Sequence, residues 1–190
     1  LAAENLTVES PDLGTLYFDV AYGGNFYAII DPQEKFSGIE DFTASQLIRY
    51  SQPIRKLMNL KYPNVFLHPE NSSIRDISHL LWTGKPLDAT SSGRNAVFYG
   101  DKAIDRSPCG TGTSARMVQW YMKGNLKKGE TFIHESYIGS KFIGRIEEET
   151  SLNGQKAIIP SIEGWAKITG YNKLIIDSEE DPYAFGFQVL

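Results

Sequence analysis

One stretch of the chain, Asp105-Arg106-Ser107-Pro108-Cys109-Gly110-Thr111-Gly112-Thr113-Ser114-Ala115, constrains the fold more than any other. Pro108, Gly110 and Gly112 fall close together and demand a sharp turn. The side chains of Ala115, Met117, Val118, Trp120, Tyr121 and Met122 then follow without a breaker until Gly124. This pattern predicts a turn that opens a helix, with Lys123 in its last turn and Gly124 just beyond its end. Any fold the chain adopts must therefore place its only cysteine, Cys109, at a helix N-terminus. Backbone N–H groups there lack intrahelical acceptors, and the dipole is positive. A sulfur in that position is favoured as thiolate, and a carboxylate is favoured as ligand. Asp105 adds an acid four residues upstream. The competing reading is a helix cap with a buried structural thiol, but a cap alone has no need of two glycines.

Around this helix the composition is mostly that of strands. Residues 6–30 read as two strands, with Thr15-Leu16-Tyr17-Phe18-Asp19-Val20 in one and Phe26-Tyr27-Ala28-Ile29-Ile30 in the other, parted by Gly23-Gly24. Residues 43–62 carry Leu47, Ile48, Ile54, Leu57, Met58 and Leu60 near helical spacing. Pro53 lies inside that helix, so a kink or two abutting helices are expected. Residues 74–82 read as a strand with Ile77, His79 and Leu81 on one face, and 95–99 as the next. Four β-rich segments close the chain, at 131–137, 142–148, 156–168 and 173–176. Strands clustered around one apolar helix, with a second helix outside, define an α+β chain rather than alternating βαβ units.

Length and composition narrow the function. The 190 residues suit one domain or one large lobe, and 41% apolar content supports a proper core. A net charge of −4 argues against a nucleic-acid partner. No apolar run approaches the ~18 residues of a membrane span. A single cysteine makes no internal disulfide, and Leu1-Ala2-Ala3-Glu4-Asn5 has neither the basic nor the apolar part of a secretory signal. A cytoplasmic location is the expectation. The three histidines and one cysteine have no zinc-like spacing, so no metal is expected. Gly110-Thr111-Gly112-Thr113 lacks the Lys-Ser/Thr pair of a phosphate loop. A cysteine hydrolase would need a histidine base with an orienting partner, which three scattered histidines leave open. His68 and His134 show no partner pattern, and Glu147-Glu148-Glu149 reads as solvated surface.

The stretch 105–115 resembles the second cysteine motif of the proline racemase family, which includes the 4-hydroxyproline 2-epimerases. Tyr22-Gly23-Gly24-Asn25-Phe26-Tyr27-Ala28-Ile29 is similar to a strand–turn–strand signature of that family. Gly164-Trp165-Ala166-Lys167-Ile168-Thr169-Gly170-Tyr171-Asn172, with Asp181-Pro182-Tyr183-Ala184-Phe185-Gly186-Phe187, looks like its C-terminal end. The resemblance implies a diaminopimelate-epimerase-like lobe, a curled and mostly antiparallel sheet wrapped around a central helix. It also implies a second lobe with its own cysteine in a Met-Cys-Gly-His-Gly motif, which this chain does not contain. On that basis residues 1–180 are expected to form a C-terminal catalytic lobe, and 181–190 a segment returning to the N-terminal lobe. A second copy of the chain is a further candidate partner.

The implied chemistry is epimerisation at the α-carbon of 4-hydroxyproline without any cofactor, Cys109 being one of two acid/base groups. Gly110 and Thr111 stand where backbone donors would meet the substrate carboxylate. By resemblance Asp105 holds the ring ammonium, though an aspartate here can equally bond its own turn. His79 points into the cleft by resemblance; the other reading is a satisfied core histidine. Tyr99 is the better of two aromatic candidates for contact with the substrate ring, with core packing as the equal alternative. Within the same family stand proline racemase and trans-3-hydroxyproline dehydratase, and a non-catalytic amino-acid-binding lobe is the alternative from another class.

Overall fold

A computed structural model describes residues 1–186. The N-terminal third forms three antiparallel strands rather than two: β1 (Ala3–Ser10), β2 (Gly14–Tyr22) and β3 (Phe26–Ile30). The extra strand arises because 6–10 folds back on 14–18, and a bulge near Asn5 (φ 54°) resets its register. β3 is buried on both faces, as a continuous apolar run should be.

Helix α1 spans Ala44–Lys61. Thr43 begins it with a reciprocal cap: its hydroxyl accepts the Gln46 N–H at 3.2 Å, and its own N–H donates to Gln46 Oε1 at 2.8 Å. The helix runs through Pro53 as one element, where a kink or a pair of helices was the expectation. Pro53 removes one donor, but Leu47, Ile54 and Met58 are fully buried against the sheet and hold the helix from both sides of it. Ser51 reinforces this, donating to Leu47 O at 2.6 Å and accepting from Trp82 Nε1 at 2.8 Å.

The remaining strands are β4 (Ile77–Gly84), β5 (Gly93–Tyr99), β6 (Ala103–Ile104), β7 (Thr131–Glu135), β8 (Lys141–Leu152) and β9 (Gln155–Glu163). Helix α2 covers Gly110–Met122. One sheet runs β1-β2-β3-β4-β5-β7-β8-β9, with β6 paired to β5. The β3/β4 and β5/β7 pairs are parallel and all other pairs antiparallel. Helix α1 packs on β1 and β4, while α2 packs on β2 and β3 and also on β8 and β9, from opposite ends of the sheet path. The chain is therefore α+β, with α2 between two parts of one sheet. Phe18, Leu47, Ile54, Leu80, Trp82 and Phe98 form the core beneath α1; Tyr27, Ile29, Leu81, Val97, Ala115 and Val118 form the core around α2.

Three strand expectations need correction. Ile77 does not share a face with Leu81: it packs with Leu80 and Trp82 on the α1 side. The cause is a register shift, since Phe26 pairs with Ile77 but Tyr27 pairs with His79, which changes the phase of alternation. Residues 173–176 form no strand, and β9 ends at Glu163 rather than 168. From Gly164 to Gly186 no helix or strand is present, and Trp165, Ile168, Tyr171, Leu174, Ile175 and Ile176 are exposed. Their β composition finds no neighbouring strand to pair with among the described residues. Residues 187–190, including Phe187 of the C-terminal motif, lie outside the described residues. Among those described, no helix is long and apolar enough to cross a membrane.

Candidate active site

The turn before α2 is held from several sides. Asp105 N–H donates to Val97 O at 2.9 Å, which hangs the turn from β5. Asp105 Oδ1 accepts the Ser107 N–H at 2.8 Å, and Ser107 Oγ accepts the Cys109 N–H at 3.1 Å. Asn95, buried on β5, donates through Nδ2 to Pro108 O at 3.0 Å. These bonds hold Cys109 at φ 65° and ψ 118°, a left-handed conformation that a residue with a Cβ adopts at a cost of about 1–3 kcal/mol. Cys109 is the N-cap of α2, so the predicted helix start is where the sequence placed it.

Glycines make the close approaches. A Cβ at Gly23, in the β2–β3 turn, would stand 2.2 Å from Thr111 O and 2.5 Å from Ala115 N, so the first turn of α2 rests directly on that backbone. A Cβ at Gly112 would stand 3.3 Å from Cys109 Sγ and 3.3 Å from Tyr27 Cε1. At Gly110 a Cβ would meet nothing within 4 Å, so the space beside the helix start is open. Among the described residues, the N–H groups of Gly110 and Thr111 meet no acceptor.

The sulfur sits among donors. Cys109 Sγ accepts the Gly112 N–H at 3.4 Å and lies 3.3 Å from the Tyr27 hydroxyl and 3.7 Å from Thr111 Oγ1. Tyr27 and Thr111 share a hydrogen bond of 2.6 Å. The Tyr27 ring stacks on His79, with centroids 4.8 Å apart, and His79 Nδ1 bonds Ser78 Oγ at 2.7 Å. Burial, then the nearby Cys109 charge, pushes the Tyr27 phenol well above its ordinary range, so it stays protonated. Burial, aided by Arg55 and opposed by Asp105, pulls His79 below its usual value and keeps it neutral at pH 7.

The structure brings Cys109, Gly110 and Thr111 together, with His79 one ring away. Asp105 uses Oδ1 within its turn, while its charge acts on both Tyr27 and His79. Tyr99 is 44% exposed at the end of β5, two residues beyond Val97 of the α2 core. No hydrogen bond or ring contact joins it to Cys109 among the described residues. His134, unassigned in the sequence, is fully buried, with Nδ1 3.0 Å from Thr113 Oγ1. Tyr27 and Gly23 were missed as site residues; both lie in the motif 22–29, but nothing local marks them as neighbours of a residue eighty positions away. A cavity of about 660 Å³ is lined by Leu1, Tyr22, Gly23, Phe66, Ser114 and Ile158 among others; it touches the first turn of α2 through Gly23 and Ser114, but its lining holds no thiol or carboxylate. No group of three or more His, Cys, Asp or Glu suited to a metal occurs among the described residues.

A thiol at a helix start, beside two unpaired amides and an open space, has the chemistry to give or take a proton next to donors suited to a small anion. The sequence matches the proline racemase family over residues 1–188, and the chain belongs to that family. It is 67% identical over 190 residues to the 4-hydroxyproline 2-epimerase of Spirosoma linguale, and 58% identical over 189 residues to the 4-hydroxyproline epimerase of Brucella ovis. Each alignment covers 100% of this chain and 56% of the relative, so the chain spans just over half the length of these proteins. Among solved structures, it superposes with TM-score 0.78 on a hydroxyproline epimerase from Agrobacterium vitis with bound trans-4-hydroxy-L-proline, at 27% identity over 98% of this chain and 52% of that one. A probable proline racemase from Agrobacterium radiobacter with bound carbonate gives the same TM-score at 29% identity, over 98% of this chain and 54% of that one.

Proposed function

We propose that this chain is the lobe carrying one of two cysteines in an enzyme that epimerises 4-hydroxyproline at its α-carbon. The observation that carries the reading is the placement of Cys109 Sγ at the N-terminus of α2, beside the free amides of Gly110 and Thr111. Identity of 67% to a 4-hydroxyproline 2-epimerase and likeness to a hydroxyproline-bound epimerase support the substrate class. On this reading the sheet curls around α2 as in the diaminopimelate-epimerase-like architecture. The 181–190 segment belongs to the junction with a second lobe.

The amides of Gly110 and Thr111 hold the substrate carboxylate and take up the charge that develops on it as the α-proton leaves. Asp105 faces the ring ammonium, and Tyr99 borders the ring. Cys109 removes the α-proton in one direction and returns one in the other. The second lobe presents the opposing group on the other face.

The decisive experiment uses the full-length protein with 4-hydroxyproline and proline as parallel substrates in heavy water. Exchange and inversion at the α-carbon should favour 4-hydroxyproline and should survive a chelator. Cys109→Ser should stop both, because a serine hydroxyl is far less acidic than a thiol. Exchange that persists in this variant would rule the role out. Gly110→Val should abolish binding while leaving the melting temperature nearly unchanged, since its side chain would enter the open space where the carboxylate sits.

A further inference from the structure

We propose that Tyr27 is a positioning residue for Cys109, its hydroxyl donating to the sulfur and favouring the thiolate. The proposal deepens the acid/base role of Cys109 and rests on that reading, although its test does not need turnover.

Three observations support it. The Tyr27 ring is completely buried and stacked on His79, so its hydroxyl has little freedom to move. That hydroxyl lies between two polar atoms, 3.3 Å from Cys109 Sγ and 2.6 Å from Thr111 Oγ1. The absence of a side chain at Gly112 leaves room for the contact, because a Cβ there would press on Sγ and on the Tyr27 ring alike.

Hydrogen-bond directions then follow from the charge on sulfur. A thiolate has no proton to give, so a hydroxyl donates to it; the Tyr27 hydroxyl at 3.3 Å is nearer than Thr111 Oγ1 at 3.7 Å, and with Tyr27 donating to sulfur, Thr111 donates to the Tyr27 oxygen. The Gly112 N–H supplies a second donor to the sulfur. In the thiol state the chain of bonds can reverse with every O–H and S–H bond intact: S–H donates to Tyr27, Tyr27 donates to Thr111, and the Thr111 hydroxyl hydrogen turns outward toward the exposed helix start. The phenol remains protonated throughout, as its burial requires. A donor bonded to the charged form of an acid favours ionisation. Tyr27 therefore acts on the proton affinity and aim of Cys109 without touching the reacting carbon.

The test measures alkylation of the 190-residue chain by iodoacetamide across pH 5–10, where the single cysteine makes the label unambiguous. The midpoint of the rate profile reports thiol ionisation, and its high-pH plateau reports access. Tyr27→Phe keeps the ring and its stacking. It should move the midpoint up, slowing alkylation at pH 7 about three- to tenfold, with the plateau unchanged or higher. Gly112→Ala is the second variant; it keeps both partners, favours helix, and wedges them apart, and it should move the midpoint in the same direction. A midpoint that stays or falls in folded Tyr27→Phe would overturn the proposal. Should that variant not fold, an unmoved midpoint in Gly112→Ala would do so. A raised midpoint in a full-length protein without epimerase activity would instead refute the proposed reaction and leave the Tyr27 contact standing.

Discussion

His134 carries the clearest pH consequence in the molecule. It is fully buried on β7, and its Nε2 has no hydrogen-bond partner among the described residues. Burial, with the positive charge of Arg116 as a second cause, pulls its pKa from 6.5 down to about 3. The folded chain keeps it neutral, whereas the unfolded chain protonates it once the pH falls below 6.5. Between those values the unfolded state holds more protons, so stability falls as the pH drops, by up to about 1.4 kcal/mol per unit. Asp19 and Glu135 also have lowered values, but their contributions are lost only below their ordinary values of 3.8 and 4.5. The window from pH 6 to pH 5 therefore belongs to histidine. Urea denaturation across that window should show His134→Phe with a clearly flatter pH slope than the parent, whatever its absolute stability. Parallel slopes would mean that His134 does not set acid sensitivity.

At the scale of elements, α2 is fixed by a polar face that its sequence hides. Arg116 Nη1 pairs with Asp31 Oδ1 at 2.7 Å and bonds Gln119 Oε1; Gln119 Nε2 reaches Asp19 Oδ2 at 2.6 Å; Lys123 Nζ pairs with that same oxygen at 2.5 Å. The spacing of 116, 119 and 123 puts all three on one side of the helix. Arg116→Leu should cost about 3 kcal/mol in a urea titration, because it leaves buried polar partners behind; the partial exposure of Asp31 keeps the loss at the low end of what broken buried pairs show. Gly23→Ala should lower the melting temperature by several degrees, since its Cβ would collide with the backbone of α2. Gly110→Ala, with open space around it, should change that temperature little. The helix itself was legible: Pro108-Cys109-Gly110 opens it and Gly124, at φ 76°, follows its end. Its apolar contacts at Ala115, Met117 and Val118 were legible too. Its anchoring through Arg116 and Gln119 was not, because the partners Asp19 and Asp31 lie about ninety residues upstream and no local pattern links them. For the same reason Cys109, Gly110 and Thr111 could be picked out together, whereas Tyr27, brought in by β3, could not. The absence of a strand at 173–176 has the opposite cause: the local propensity is present, but strand formation needs a neighbour.

At the scale of the whole molecule the site has one face. Inversion at an α-carbon needs a proton donor on one side and an acceptor on the other, and the sequence has a single thiol. His79 is held against the Tyr27 ring, and His134 is sealed in the interior. Beside the sulfur, the space at Gly110 is open. That space also lacks the enclosure that excludes water and strengthens contacts between a carboxylate and backbone amides. Meanwhile Trp165, Ile168, Tyr171, Leu174 and Ile175 stand exposed on a segment without regular structure, at 70%, 77%, 91%, 88% and 80%. The relatives are nearly twice as long, and apolar side chains of this kind are suited to being covered by further protein. We therefore expect the 190-residue chain alone to bind hydroxyproline weakly and to exchange no α-proton. The measurement is deuterium incorporation at the α-carbon in heavy water, run side by side on this chain and on the full-length protein. Exchange should appear only in the longer protein, and there it should vanish with Cys109→Ser. If the 190 residues catalyse exchange unaided, the opposing group lies within them, and the requirement for a second lobe is wrong.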